Sequence, residues 1–218
     1  MRRVGIFFFS LIIYIGENKM KINRNRTRFV VVTALLGAIS SAIMILSFSV
    51  PFMPSFLKLD LSDLPALIAS FSLGPISGVM VCLIKNIINL LIEGTATFYI
   101  GELANFIYGI CLVLPAGLIY KYRKTRLAAL LSSLLGALIV ALVSLPINYY
   151  LVYPIYCKFM PLEAILGMYR AILPVEGWGL IQYLLVFNVP FSLLKGLLVT
   201  LITFMLYKRI SPIIKGKG

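Results

Sequence analysis

The sequence predicts an all-α integral membrane protein: six transmembrane helices in one domain, with a capping outer loop between the first and second. Three observations lead there. Of 218 residues, 61% are hydrophobic and only 12% are charged, a balance outside the range of soluble domains. The apolar residues come in runs long enough, at ~1.5 Å per residue, to cross a hydrocarbon core of ~30 Å. The basic residues, which give a formal net charge of +13, stand in short blocks beside these runs. That placement reports topology and argues against a nucleic-acid surface.

Residues 1–19 stand apart as an N-terminal extension. Arg2 and Arg3 precede an apolar run, Gly5 to Gly16, that falls short of the ~20 residues a span needs and has no small-residue cleavage pattern behind it. Met20 opens the basic stretch MKINRNRTRF. Two readings of 1–19 therefore stay open, a mis-assigned start and an interfacial segment, and residues 20–218 form the single six-helix domain.

The first span is Phe29 to Val50, which carries no charge. The second, Leu61 to Ser72, is short, stops at Leu73-Gly74-Pro75, and reaches across only if the loop before it dips into the membrane. Spans three to six are Pro75 to Ile92, Glu102 to Tyr120, Leu127 to Val152 and Gly179 to Tyr207. Pro115, Pro146 and Pro190 lie inside the last three; each removes a backbone donor, so kinks or loosened turns are expected there.

Between spans one and two, the stretch PFMPSFLKLDLSDLP brings charge back into an apolar sequence. Pro51, Pro54 and Pro65 rule out one continuous helix, and Lys58, Asp60 and Asp63 sit too close to the flanking runs for an ordinary soluble loop. It reads as a structured cap over a binding site, against the plainer alternative of a solvated connector.

Charge assigns the sides. All Lys and Arg except Lys58, Lys85, Lys158, Arg170 and Lys195 fall on one side if the short second span crosses, which places both termini in the cytoplasm of a multi-pass cell-membrane protein. Asp60, Asp63, Glu93, Glu102, Glu163 and Glu176 then lie outward, in loops or at helix ends. Tyr149, Tyr150, Tyr153, Tyr156 and Trp178 form an outer aromatic belt.

Histidine is absent and Cys82, Cys111 and Cys157 form no CxxC pair, so His-based catalysis and the common zinc sites are not indicated. The functional signal is polar groups inside apolar helices, each of which needs a partner or a cavity. On the sixth span Asn188, Ser192 and Lys195 share one face at i, i+4 and i+7, with no acid on that helix to pair the lysine. On the third, Lys85, Asn89 and Glu93 repeat the idea beside Asn86; Glu102 and Asn105 open the fourth, and Asn148 follows Pro146. For the third and fourth spans the alternative is mutual satisfaction, for example an interhelical pair of Lys85 with Glu102. Ala34, Ala38 and Ala42 repeat every four residues on the first span and leave one flank nearly flat, suited to close helix approach either within the protein or by a partner.

The basic start, the alanine repeat, the FLKLDLSDLP loop, the GELANF helix start and the PFSLLKG sixth helix together resemble the substrate-binding S components of energy-coupling factor (ECF) vitamin transporters, most closely the riboflavin-binding type. The resemblance spans about residues 22 to 210. It implies a vitamin held near the outer surface under the first loop. It further implies that the alanine face, Ala34, Ala38 and Ala42, docks on a membrane coupling subunit driven by two ATP-binding subunits. One departure stands out: the riboflavin type implies asparagine three residues before the lysine, where this chain has Ser192, a hydroxyl of shorter reach.

A flavin suits the residues available. It is a flat, largely apolar ring with a uracil-like edge and a polyhydroxylated tail, and asks for apolar walls plus a few amide and ammonium groups. Asn148, Asn188, Ser192 and Lys195 are expected at the ring edge, Lys58 and Asp60 at the tail, and Phe56 and Leu57 over the ring face. Riboflavin enters as transported ligand, and no cofactor is called for. With no Walker A sequence the chain is read as a transport subunit and not an enzyme, its energy coming from partners. Another vitamin, or the flavin phosphate, is the alternative ligand. A secondary transporter, with an internal repeat and midplane carboxylates, is the alternative class.

Overall fold

The computed structural model describes residues 26–54, 57–94 and 99–215, the side chains of 93 and 207–215 excepted. The extension 1–19 and Phe56 lie outside the described residues. Within them, five helices are long and apolar enough to cross a membrane: α1 (Arg26–Ile45), α3 (Pro75–Glu93), α4 (Ile100–Tyr122), α5 (Arg126–Tyr156) and α7, which joins Leu180–Tyr183, Leu184–Asn188 and Val189–Lys215. The short second span is α2 (Asp63–Leu73), 11 residues and therefore only ~16 Å long.

Helix α1 stops at Ile45, short of the expected Val50. The reason is local pairing: a turn closes from Ile43 to Leu46 and from Met44 to Ser47, and Phe48–Ser49 (β1) then pairs antiparallel with Lys58–Leu59 (β2), Phe48 opposite Leu59 and Ser49 opposite Lys58. The loop is thus a small hairpin-like cap, in which these four residues satisfy backbone groups across the pair.

Helix α2 is the centre of the molecule. Most of its side chains are buried. It ends at Gly74, whose φ of 115° lies where a Cβ is disfavoured, and Pro75 then starts α3 as a first-turn proline. Ser70 Oγ donates to the Val113 carbonyl of α4 at 2.8 Å. Helix α1 seats against α3 where Thr33 and Ser77 share a 2.7 Å hydrogen bond and where a Cβ on Gly37 would lie 2.6 Å from Ile84 Cγ2. Helix α5 begins at a Thr125 cap that accepts from the Ala128 N–H, and packs through small residues: Gly136 against the Leu112 backbone and Ala137 against Gly196 of α7.

Two of the three in-span prolines sit beside π turns. Pro146 precedes Asn148–Val152 in α5, and Pro190 follows Leu184–Asn188 in α7. Such turns widen the helix by one residue; Pro190 lacks the N–H that would have met Val186 inside the second turn, and Pro154 lacks the one that would have met Tyr150 inside the first.

Asp60 and Asp63 are both buried, Asp63 on the first turn of α2 and Asp60 just ahead of it, so the acids of this loop are not those of a solvated connector. Two expectations are corrected. Tyr153 does not belong to the aromatic belt. It is 2% exposed, covered by a short helix absent from the expected set, α6 (Leu162–Arg170), whose Ile165, Leu166 and Tyr169 turn inward. Lys85 does not pair with Glu102; its partner is Asp63 of α2, at 2.6 Å.

Candidate functional site

A cavity of about 630 Å³ opens among α1, the loop, and α2 to α7, within the ~300–1,000 Å³ range of small-molecule sites. Leu57, Lys58, Asp60, Asn148, Asn188, Ser192 and Lys195, all expected at the site, line it. Phe56 lies outside the described residues. Ala34, Ala38 and Ala42 are exposed on the outer flank of α1 and do not line the cavity.

Beneath the cavity lies a buried charge cluster. Asp60 holds the turn into α2 by accepting from the Ser62 N–H at 2.9 Å and from the Ser62 hydroxyl, an aspartate bonding the backbone two residues ahead. Its other oxygen accepts from Lys195 Nζ at 2.8 Å. Lys85, fully buried, donates to Asp63 and, at 2.7 Å, to Ser62 Oγ. Lys195 also stands 3.8 Å from Asp63 Oδ2, so two cations and two carboxylates neutralise one another through Ser62. Burial alone pushes the Asp60 carboxyl up, but the Lys195 and Lys85 cations outweigh it and hold it below the usual carboxylate range. Sequence reasoning found Lys195 without an acid on its own helix; the acid comes from the loop. Lys195 nonetheless keeps a side chain 17% exposed, and with three donors it has capacity toward the cavity beyond its bond to Asp60.

The two asparagines expected at the site occupy the π turns, Asn148 opening one and Asn188 closing the other. Asn148 donates to Tyr108 Oη at 3.1 Å and to the Ser144 carbonyl at 2.7 Å. A carbonyl only accepts, so this fixes the amide orientation and leaves the Asn148 oxygen as the free group. Asn188 is the reverse: its oxygen accepts from Tyr169 Oη at 2.8 Å, leaving the NH₂ group as donor. Tyr169 is in turn 2.5 Å from Tyr153 Oη and stacks on Tyr183 with centroids 5.2 Å apart. This tyrosine scaffold was missed in sequence because α6 was missed; the spacing of Leu162, Ile165, Leu166 and Tyr169 at i, i+3, i+4 and i+7 was the available signal. Asn89, Glu102 and Asn105, noted in sequence as polar intrusions, also line the cavity.

A family profile described as "ECF transporter, substrate-specific component" matches residues 28–207. The riboflavin transporter RibU of Staphylococcus aureus (strain TCH60) is 28% identical over 199 residues, 91% of this chain and 98% of that protein. The riboflavin transporter FmnP of Bacillus subtilis (strain 168) is 30% identical over 188 residues, 86% of this chain and 94% of that one. A solved structure described as the S component of a bacterial ECF transporter aligns with a TM-score of 0.68 and 27% identity, covering 87% of this chain and 99% of its own.

Proposed function

The chain belongs to the substrate-specific components of ECF transporters, and from that premise we propose that it captures riboflavin at the outer side of the cell membrane and releases it inward with energy from partner subunits. The observation that carries the ligand is the set of hydrogen-bonding groups that Asn148, Asn188 and Lys195 bring to one cavity. The uracil-like edge of a flavin runs acceptor, donor, acceptor. Asn148 offers an acceptor, and Asn188 and Lys195 offer donors, so an edge presented to all three finds a complement at each position. Ser192, a hydroxyl that donates or accepts, stands one turn from each of Asn188 and Lys195 and suits the neighbouring ring nitrogen. The walls are apolar: Leu57, Leu112, Ile165 and Phe191. In this reading Asp60 acts by holding Lys195, Lys58 stands at the mouth toward the tail, and Phe56 and Leu57 close over the ring.

The remaining parts follow the family. Residues 20–218 act as one six-span unit with both termini cytoplasmic, the alanine flank of α1 meets the coupling subunit, and two ATP-binding subunits drive release. Purified protein titrated with riboflavin, followed by the quenching of flavin fluorescence, should saturate at a single site, and the concentrated protein should be yellow. Absence of saturable riboflavin binding, with a fold intact by circular dichroism, removes the reading.

A further inference from the structure

Asn188 closes the π turn Leu184–Asn188, is 3% exposed and lines the cavity. The two halves of its amide have nearly the same shape and opposite hydrogen-bonding sense, so a ligand acceptor is met only if the NH₂ half is turned toward it. Tyr169 of α6 makes that choice. Its hydroxyl donates to Asn188 Oδ1 at 2.8 Å, and a tyrosine has one proton to give. The 2.5 Å contact between Tyr169 and Tyr153 is therefore donated by Tyr153. The chain runs in one direction, from Tyr153 through Tyr169 to Asn188, and each bond polarises the next.

Tyr169 is held firmly in this place. It is fully buried, stacked on Tyr183 at 5.2 Å with the rings 20° apart, and packed on Phe187 at 5.3 Å. Tyr183 is itself tied to the segment between α6 and α7, its hydroxyl donating to the Val175 carbonyl at 3.2 Å. Tyr169 is not among the residues that line the cavity. We propose that Tyr169 is a positioning residue: acting through Asn188, it fixes a donor at this point of the cavity, so that the site selects ligands carrying a carbonyl there. The inference rests on the riboflavin reading and deepens it, since α6, a helix outside the spans, then sets the sense of one contact to the ring edge without touching the ligand.

Two riboflavin analogues, each with sulfur in place of one of the two carbonyl oxygens of the ring edge, test this, because sulfur accepts a hydrogen bond only weakly. Riboflavin and both analogues are titrated against the unaltered protein and against Tyr169→Phe, which keeps the ring in its stack and deletes only the hydroxyl. In the unaltered protein at least one analogue should bind about tenfold more weakly than riboflavin. In Tyr169→Phe riboflavin itself should weaken about tenfold and the gap to one analogue should shrink to less than about twofold, the coupling expected of groups acting in one chain. A loss of packing alone would weaken riboflavin and the analogues by the same factor, so gaps that persist in full would overturn the proposal, as would unchanged riboflavin affinity. If Tyr169→Phe does not fold, a ring-fluorinated tyrosine in place of Tyr169, which keeps the hydroxyl and makes it a stronger donor, should widen the gap; an unchanged gap would overturn the proposal equally. Unaltered protein that binds riboflavin and both analogues alike removes the positioning role while leaving the flavin reading in force, and unaltered protein that binds no flavin removes both.

Discussion

Lys195 of α7 and Asp60 of the first loop meet at 2.8 Å across 135 residues of chain. The lysine thus has two tasks, since it neutralises a buried carboxylate and keeps donor capacity facing the cavity. Removing one partner of a buried ion pair strands the other, which is typically worse than having neither.

Lys195→Met should therefore lower both stability and riboflavin affinity. The stability loss should reach up to about 3 kcal/mol, below the range for fully enclosed pairs because Lys195 is still partly open to the cavity. Asp60→Asn combined with Lys195→Met removes both charges and should recover much of the melting temperature in detergent, without recovering riboflavin binding. A double variant that regains affinity as well would mean that Lys195 never touches the ligand.

Lys85 gives the contrasting case. It is fully buried, pairs with Asp63 at 2.6 Å and does not line the cavity. Lys85→Met should cost about 3–5 kcal/mol in thermal unfolding. The fraction that folds should bind riboflavin more nearly like the unaltered protein than Lys195→Met does. A variant as stable as the parent but unable to bind would instead make Lys85 a ligand contact.

The contrast explains what was legible in the sequence. Asn148, Asn188, Ser192 and Lys195 were readable because a polar side chain in an apolar helix needs a compensating partner or cavity, and the proline at 190 announced the loosened turn on which Asn188 sits. What paired with them was not readable. The partner of Lys195 comes from a loop at the far end of the chain, and the partner of Asn188 comes from α6, whose single inward stripe is too short to register as a span. Spacing along one helix says which residues share a face; it does not say what the bundle brings opposite that face.

Neighbouring positions on α1 should behave in opposite ways. Ala38 is exposed and remote from the cavity, whereas Gly37 faces α3, where any added Cβ meets Ile84. Ala38→Trp should leave the melting temperature and riboflavin binding near those of the parent, and reduce ATP-dependent riboflavin uptake in cells to background, since a bulky ring blocks close helix approach. Gly37→Leu should lower the melting temperature by forcing α1 off α3. If Ala38→Trp transports normally, the alanine flank faces lipid and the coupling subunit docks elsewhere.

Whether α2 crosses decides the topology, and it is the element for which length alone gives no answer. At 11 residues it covers about half of a ~30 Å hydrocarbon core, and the paired segments β1 and β2 lead into it from a loop whose Asp60 is buried. Between Lys58 and Lys124 the chain passes through α2, α3 and α4. If α2 completes a crossing together with its loop, these lysines lie on opposite sides; if it does not, the two remaining helices return the chain to the same side. In a variant lacking Cys82, Cys111 and Cys157, Lys58→Cys should react with a membrane-impermeant maleimide on intact cells, and Lys124→Cys only after permeabilisation. Equal labelling of both on intact cells would reduce the count to five spans and put the N- and C-terminal ends of the described domain on opposite sides of the membrane.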